Sequence, residues 1–381
     1  MNSYYLASLV LFSLWDYYIP FLGGRVLDYV GIVLIMVYVG SRFIQLDFGV
    51  LKFTRAYLLL LLAMFPLVVL AYLGGGWLTA TAFLLGSTLV YSFFSSARYS
   101  LDRLYKQCGY LILFNLLFFF FQYAAYKLIG IVVDYHSYFG SISPRVFNED
   151  VLFFRAAGLF QEPNSFSVTL FMLNVTRVLL KNDKPDMLFF GSLLALVLSE
   201  SLWGVGATLV LALLAARLSM PTVPILVLLA GLGGLVSVGF VILINWPDTL
   251  GLVINPLTLW RLGNLDVDAS VEGRYGGGVV DIKLDAPFMF GHGLTTTDFH
   301  SLAGANSIGF FLYSFGLIGM LLFLAWIMID SKKNRLLVVM SILFLMTSFP
   351  LFTYAFWWAW LGILIRSSNI EKEADQRLIV K

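Results

Sequence analysis

Charge is what this chain has least of. Only 12% of its 381 residues are Asp, Glu, Lys or Arg, and 60% are hydrophobic. Soluble chains carry roughly 25% charged residues, so a water-soluble domain of this size is excluded. A single cysteine, Cys108, excludes an intramolecular disulfide. The three histidines, His136, His292 and His300, have no paired spacing, and no transition-metal site is expected. No Lys or Arg precedes Arg25, so the basic start of a cleaved signal peptide is missing. The first apolar stretch therefore reads as a retained span. A GxxxxGK(S/T) phosphate loop and a dinucleotide fingerprint are both absent. No cofactor and no nucleic-acid partner is expected.

What is abundant is apolar helix. A membrane helix needs about 20 mostly apolar residues. Hydropathy marks candidate spans at 4–22, 28–46, 56–73, 77–95, 108–131, 165–180, 187–199, 202–216, 222–245, 307–328, 336–350 and 353–366. The pairs 187–199/202–216 and 336–350/353–366 are short, and one of each is open to reading as a re-entrant segment. The expected fold is an all-α polytopic membrane protein of about twelve transmembrane helices, with residues 1–381 as a single membrane domain.

Basic residues test this map, because cytoplasmic connectors are enriched in Lys and Arg. Connectors after even-numbered spans hold Arg42, Lys52 and Arg55; Arg98, Arg103 and Lys106; Arg177, Lys181 and Lys184; Arg217; and Lys332, Lys333 and Arg335. Arg366, Lys372, Arg377 and Lys381 follow the last span. The remaining ones, Arg25, Lys127, Arg145, Arg155, Arg261, Arg274 and Lys283, fall near or after odd-numbered spans. Both termini are therefore expected in the cytoplasm. Two long connectors, 132–164 and 246–306, lie outside as large periplasmic loops, and they hold all three histidines.

Chemistry is expected in those loops. Arg155 sits between Phe153-Phe154 and Ala156-Ala157-Gly158, away from any freely solvated charge run. A guanidinium held there suits bidentate contact with phosphate. Glu162-Pro163-Asn164-Ser165 marks a helix start whose positive end faces outward. Ordinary capping by Asn164 or Ser165 accounts for the same residues. In the second loop, Arg274 and Tyr275 precede three glycines, and His292 lies between Gly291 and Gly293. His300 suits a general base, and a solvated loop histidine accounts for it equally. Asn306-Ser307 opens a second helix from outside. Glu200 lies in the short outer turn Ser199-Glu200-Ser201. Asp266-Val-Asp268 has the DxD look of a metal–sugar-phosphate site, but a solvated acidic loop is the better reading. Ion-coupled carriers need ionisable residues at mid-membrane depth. Only Asp16 and Lys127 qualify, both near span ends, which disfavours a transporter.

The run Arg155-x-x-Gly158-x-Phe-x-Glu162-Pro163-Asn164-x-Phe resembles the segment after the first large periplasmic loop of O-antigen polymerases and ligases. Ser199-x-Ser201-x-x-Gly204 resembles their next short motif. Arg274 with Gly291-x-Gly293 resembles their second large loop, and Ala305-Asn306-Ser307 with Gly316-Leu-Ile-Gly319 resembles the helix after it. The resemblance covers roughly 150–330. It implies a glycosyltransferase fold of the C type and a polyprenyl-diphosphate-linked glycan as both donor and acceptor. Membrane lipids are further partners, and a chain-length regulator is compatible with it.

By resemblance, Arg155 and Arg274 bind the diphosphate and stabilise it as leaving group. Arg145, Arg261, Asn164, His292, Asn306 and Tyr275 complete the expected substrate-binding set. Ligases carry a histidine beside the asparagine of the late helix, where this chain has Ala305. That departure favours a polymerase of repeat units over a ligase acting on lipid A–core. It also leaves His300, Glu162 and Glu200 as alternative bases. A flippase of the lipid-linked unit is the reading from a different class.

Overall fold

The computed structural model describes residues 3–13, 18–19, 24–44, 57, 61, 85–96, 100–135, 147–148, 153–181, 185–219, 289–291, 307–331, 335–348 and 355–367. These residues are mostly helical. In chain order they form α1 (Ser3–Ser13), α2 (Val26–Ile44), a π-helical stretch Leu85–Val90 continuing into α3 (Tyr91–Ser96), α4 (Leu101–Ile129), α5 (Pro163–Lys181), α6 (Met187–Leu198), α7 (Leu202–Ser219), α8 (Ser307–Asp330), α9 (Arg335–Met346) and α10 (Ala355–Ser367). Strand structure among them is confined to two antiparallel two-residue ladders. β1 (Tyr18–Ile19) pairs with β2 (Gly24–Arg25), and β3 (Phe147–Asn148) pairs with β4 (Phe153–Phe154).

Two of these helices, over Asp102–Ile129 and Phe311–Asp330, are long and apolar enough to cross a membrane. Shorter apolar helices cover Tyr29–Arg42, Met187–Leu198, Leu202–Arg217 and Leu337–Met346. On α4, the exposed residues Tyr110, Leu113, Leu117, Phe121 and Leu128 recur at three- and four-residue steps, with one longer gap. Helical periodicity sets them along one apolar stripe. An exposed stripe of that size is expected to meet lipid or another apolar surface.

The expected span 4–22 is not one helix. α1 ends at Ser13, and Tyr18–Ile19 turns back onto Gly24–Arg25. Pro20 lacks a backbone donor, and Gly23-Gly24 disfavours helix. The expected start at 108 moves out to Leu101, because hydropathy discounts the polar but helix-compatible turn Asp102-Arg103-Leu104-Tyr105-Lys106. Lys106 and Asp102 form an i,i+4 ion pair there at 3.1 Å.

The chain gathers into two compact units. One comprises Met1–Leu11, Asp28–Ser100 and Asp266–Lys381. Within it α10 lies directly on α3, and the Gly362 Cα faces the Tyr91 carbonyl and the Phe94 Cβ. Tyr57, Tyr91 and Trp326 form an aromatic cluster. The Trp326 Nε1–H donates to Asp330 Oδ2 at 2.7 Å, and the Tyr91 hydroxyl reaches the same oxygen at 3.4 Å. α8 is broken at Gly316, where φ is 67° and ψ is −179°. Gly291 (φ 81°) packs into the break, backbone against backbone, and a Cβ on either glycine would collide with the other strand of chain.

The second unit comprises Phe12–Leu27 and Leu101–Leu265. Its core is α4 packed on α5 and α6, with α5 also packed on α7. Phe119 stacks on Phe166 at 4.6 Å with the rings 7° apart, which sets the register of α4 against α5.

Candidate functional site

The site is built on the C-terminal half of α4. Gln122 faces inward there and is fully buried. Its Oε1 accepts hydrogen bonds from the backbone N–H groups of Ala157 and Gly158, both at 2.8 Å. Its Nε2 donates to the Val133 carbonyl at 2.7 Å. One carboxamide thus pins the segment leaving α4 and the segment returning to it.

The returning segment descends along the helix. Phe154 stacks on Tyr126 at 4.2 Å. Gly158, with φ 58°, reaches the level of Asn115 and Phe119. A Cβ there would lie 3.4 Å from the Phe119 nitrogen and 3.6 Å from the Asn115 carbonyl oxygen. The positive φ and this close approach both call for glycine. Ala156, Ala157, Leu159 and Phe160 are buried. The end of the first long connector is therefore non-helical backbone set into the helix packing, rather than a solvated loop. Buried backbone of this kind needs its polar groups satisfied, and Gln122 supplies the acceptor for two of them.

Arg155 enters this descent between buried Phe154 and Ala156. It is half-buried, and its Nε is out of contact with solvent. The chain then turns into α5. The Phe166 N–H donates to the Glu162 carbonyl at 3.3 Å, and Pro163 is the first helical residue. Glu162 is thus the N-cap by backbone geometry. Asn164 and Ser165 lie inside the first turn, so the expected capping by either is corrected. Asn164 is 6% exposed, and its Oδ1 is buried with no hydrogen-bond partner among the described residues.

Glu200 lies in the turn between α6 and α7. It is 3% exposed, and its φ of 54° makes it the one non-glycine residue with positive φ among those described. The turn is held rigidly. The Ser199 Oγ donates to the Leu196 carbonyl at 2.8 Å and sits 3.2 Å from the Ser167 Oγ of α5. The Gly204 N–H donates to the Ser201 Oγ at 3.3 Å. Ser167 lies one turn after Asn164 on α5, so the Ser167–Ser199 contact joins the first turns of α5 to the turn that holds Glu200. The Glu200 carboxylate is within electrostatic range of Tyr123 on α4. Lys127 places its Nζ 5.8 Å from the centre of the Tyr123 ring.

Arg155, Glu162, Asn164 and Glu200 thus belong to one unit and lie around residues 115–127 of α4. Arg145, Arg261, Arg274, Tyr275, His292, His300 and Asn306 lie outside the described residues, although α8 does begin at Ser307. Gln122 and Tyr123 were not legible as site residues, because both interrupt an otherwise apolar run without carrying charge. A carboxamide within an apolar run, as at Asn115 and Gln122, was the available signal, since burying it without a partner is costly.

The opposite end of the same helices carries a structural lock. Buried Arg177 makes a bidentate pair with Asp186, at 2.7 and 3.2 Å. Its Nη2 also donates to the Tyr105 hydroxyl at 3.0 Å, and its guanidinium lies 4.5 Å over the Tyr105 ring. Asp186 caps α6 through the Phe189 N–H at 2.9 Å. Burial pushes the Asp186 carboxyl up, but hydrogen bonds from Arg177 and Phe189 and the charge of Arg177 outweigh it and hold it below its ordinary value.

Comparison of the chain with protein-family models, with curated proteins and with solved structures returns no match.

Proposed function

We propose that this protein polymerises polyprenyl-diphosphate-linked oligosaccharide repeat units of the O-antigen type. It does so as a polytopic enzyme of the bacterial inner membrane, with about twelve transmembrane helices, a C-type glycosyltransferase architecture, both termini cytoplasmic and the site at the periplasmic face. The observation that carries this reading is the placement of Arg155. Arg155 is half-buried on a segment that Gln122 clamps and that leads into the N-terminus of α5.

The physics fits a diphosphate leaving group. Helix N-termini favour anions, and a partly desolvated arginine binds phosphate oxygens in a fixed fork. Charge grows on the diphosphate as the glycosidic bond breaks, so fixed positive groups lower the barrier. No nucleotide is required, because the lipid diphosphate already activates the sugar. Arg274 is the second proposed diphosphate contact, from the other long connector.

The test is reconstitution of the purified protein with the lipid-diphosphate-linked repeat unit of its own organism and no other enzyme. A ladder of multimers on a gel is the expected product. Arg155→Ala and Arg274→Ala are expected to abolish the ladder while the protein still inserts. Absence of a ladder from the unaltered protein overturns the reading. Transfer only to added lipid A–core then identifies a ligase, and cargo movement without new glycosidic bonds identifies a transporter.

A further inference from the structure

α5 carries two buried polar side chains, three residues apart, whose unmet hydrogen-bonding capacities are of opposite kinds. Asn174 is 1% exposed and Arg177 is 7% exposed. The Asn174 Nδ2 donates to the Leu170 carbonyl at 2.8 Å, but its buried Oδ1 accepts from none of the described residues. The Arg177 Nη1 and Nη2 hold Asp186 and Tyr105, but its buried Nε–H donates to none of them. A buried polar group left unpaired is costly, and more so when it belongs to a charged side chain. Residues three apart on a helix are neighbours. Asn174 and Arg177 also line one small cavity, walled by Tyr105, Val178 and Phe189. The room in it, about 10 Å³, is that of one water molecule.

We infer that this cavity is a binding site for one ordered water, which accepts from the Arg177 Nε–H and donates to the Asn174 Oδ1. The chemistry selects the occupant. An acceptor short of a donor and a donor short of an acceptor call for one small group that does both. A cation would meet the guanidinium charge, and an anion brings no proton for the carboxamide oxygen. Water meets both needs within the size of the cavity, and buried waters of this kind are part of the structure they complete. The site does not depend on the polymerase reading. It extends the lock at this end of the helices. Arg177 holds Asp186, which caps α6, and the water ties the same guanidinium back to the preceding turn of α5. Asn174 thereby supports the cap of α6 without touching it.

The experiment is an experimental structure of the full chain at a resolution that shows buried waters, joined to thermal unfolding of two variants in detergent. A single peak is expected at about 2.7–3.2 Å from both the Asn174 Oδ1 and the Arg177 Nε, the ordinary hydrogen-bond range. No peak there while other buried waters are visible overturns the site. Density continuous with a detergent or lipid molecule overturns it too. The variants differ in what they do to the water. Asn174→Ala leaves room for water, so the Arg177 Nε keeps a partner. Asn174→Leu fills the space with apolar atoms and orphans that donor. The unaltered protein is expected to unfold at the highest temperature, Asn174→Ala lower and Asn174→Leu lowest. A dry cavity predicts the reverse order for the two variants, because leucine packs more apolar surface than alanine. Asn174→Leu unfolding at or above the temperature of Asn174→Ala therefore overturns the inference. If the leucine variant does not fold, the peak in the unaltered protein decides.

Discussion

Gln122 Oε1 accepts the backbone N–H of Gly158 at 2.8 Å, so a side chain in the C-terminal half of one helix completes the backbone of a segment from a distant part of the chain. The same oxygen holds Ala157 at 2.8 Å, and the two bonds set the stretch that presents Arg155. A buried N–H left without an acceptor costs about 1–3 kcal/mol.

Replacing Gln122 with leucine orphans both donors and releases Val133. The expected loss is about 2–6 kcal/mol of stability by that measure, read by thermal unfolding in detergent. Gln122→Glu keeps the oxygen that accepts both N–H groups but replaces the donor to the Val133 carbonyl with a second acceptor, so it is expected to destabilise as well. Equal stability of the leucine variant and the unaltered protein would show that the clamp carries little weight.

Gly158→Ala forces an L side chain to φ 58° against the Phe119 and Asn115 backbone. A left-handed non-glycine residue costs about 1–2 kcal/mol. On the polymerase reading, activity is expected to fall further than stability, because the displaced segment carries Arg155. The two are compared on one preparation.

The Arg177–Asp186 pair gives a pH dependence of definite sign. The Asp186 carboxyl is held below its unfolded value, so its contribution is complete above that value, about 3.9. It is lost as pH falls through the depressed folded value. Asp186→Asn is expected to destabilise at pH 7 by about 1 kcal/mol, since the carboxylate is 41% exposed and solvent screens the pair. The difference between the two proteins is expected to shrink in acid. A constant difference from pH 7 to pH 3 would rule out the pair as its source.

The inside-positive map is testable with one labelled cysteine at a time, because the native Cys108 is buried. His136→Cys is expected to react with an impermeant maleimide in spheroplasts. Lys372→Cys is expected to react only after permeabilisation. The reverse pattern would invert the topology and move the proposed site to the cytoplasm.

Much of the helical layout was readable from hydropathy. The expected spans 165–180 and 187–199 match Pro163–Lys181 and Met187–Leu198 closely. Those segments are bounded by residues with strong local preferences, Pro163 at one start and Asp186 at the other. The depth of residues 154–160 was not readable. Their composition, Phe-Arg-Ala-Ala-Gly-Leu-Phe, is that of a loop next to a membrane. What draws them inward is an acceptor more than thirty residues away, at Gln122. The break at Gly316 was hidden for the same reason. Apolar residues continue on both sides of it, while the close approach of Gly291 is a property of space and not of local sequence. The strain at Glu200 was also invisible, since a dihedral angle leaves no mark on composition.

α4 runs on past its contact with Phe166. From Phe119 to Ile129 it extends about 15 Å farther, at 1.5 Å per residue, carrying Tyr123, Tyr126 and Lys127. Gly158 and the first turn of α5 therefore lie at the foot of a wall, not on an open surface. On the polymerase reading, that wall acts as a depth gauge. Only the first sugar or two beside the diphosphate fit within its height, and everything beyond stays clear of it. A site that reads so short a stretch is indifferent to how long the chain has already become, so the same step serves the first addition and the last.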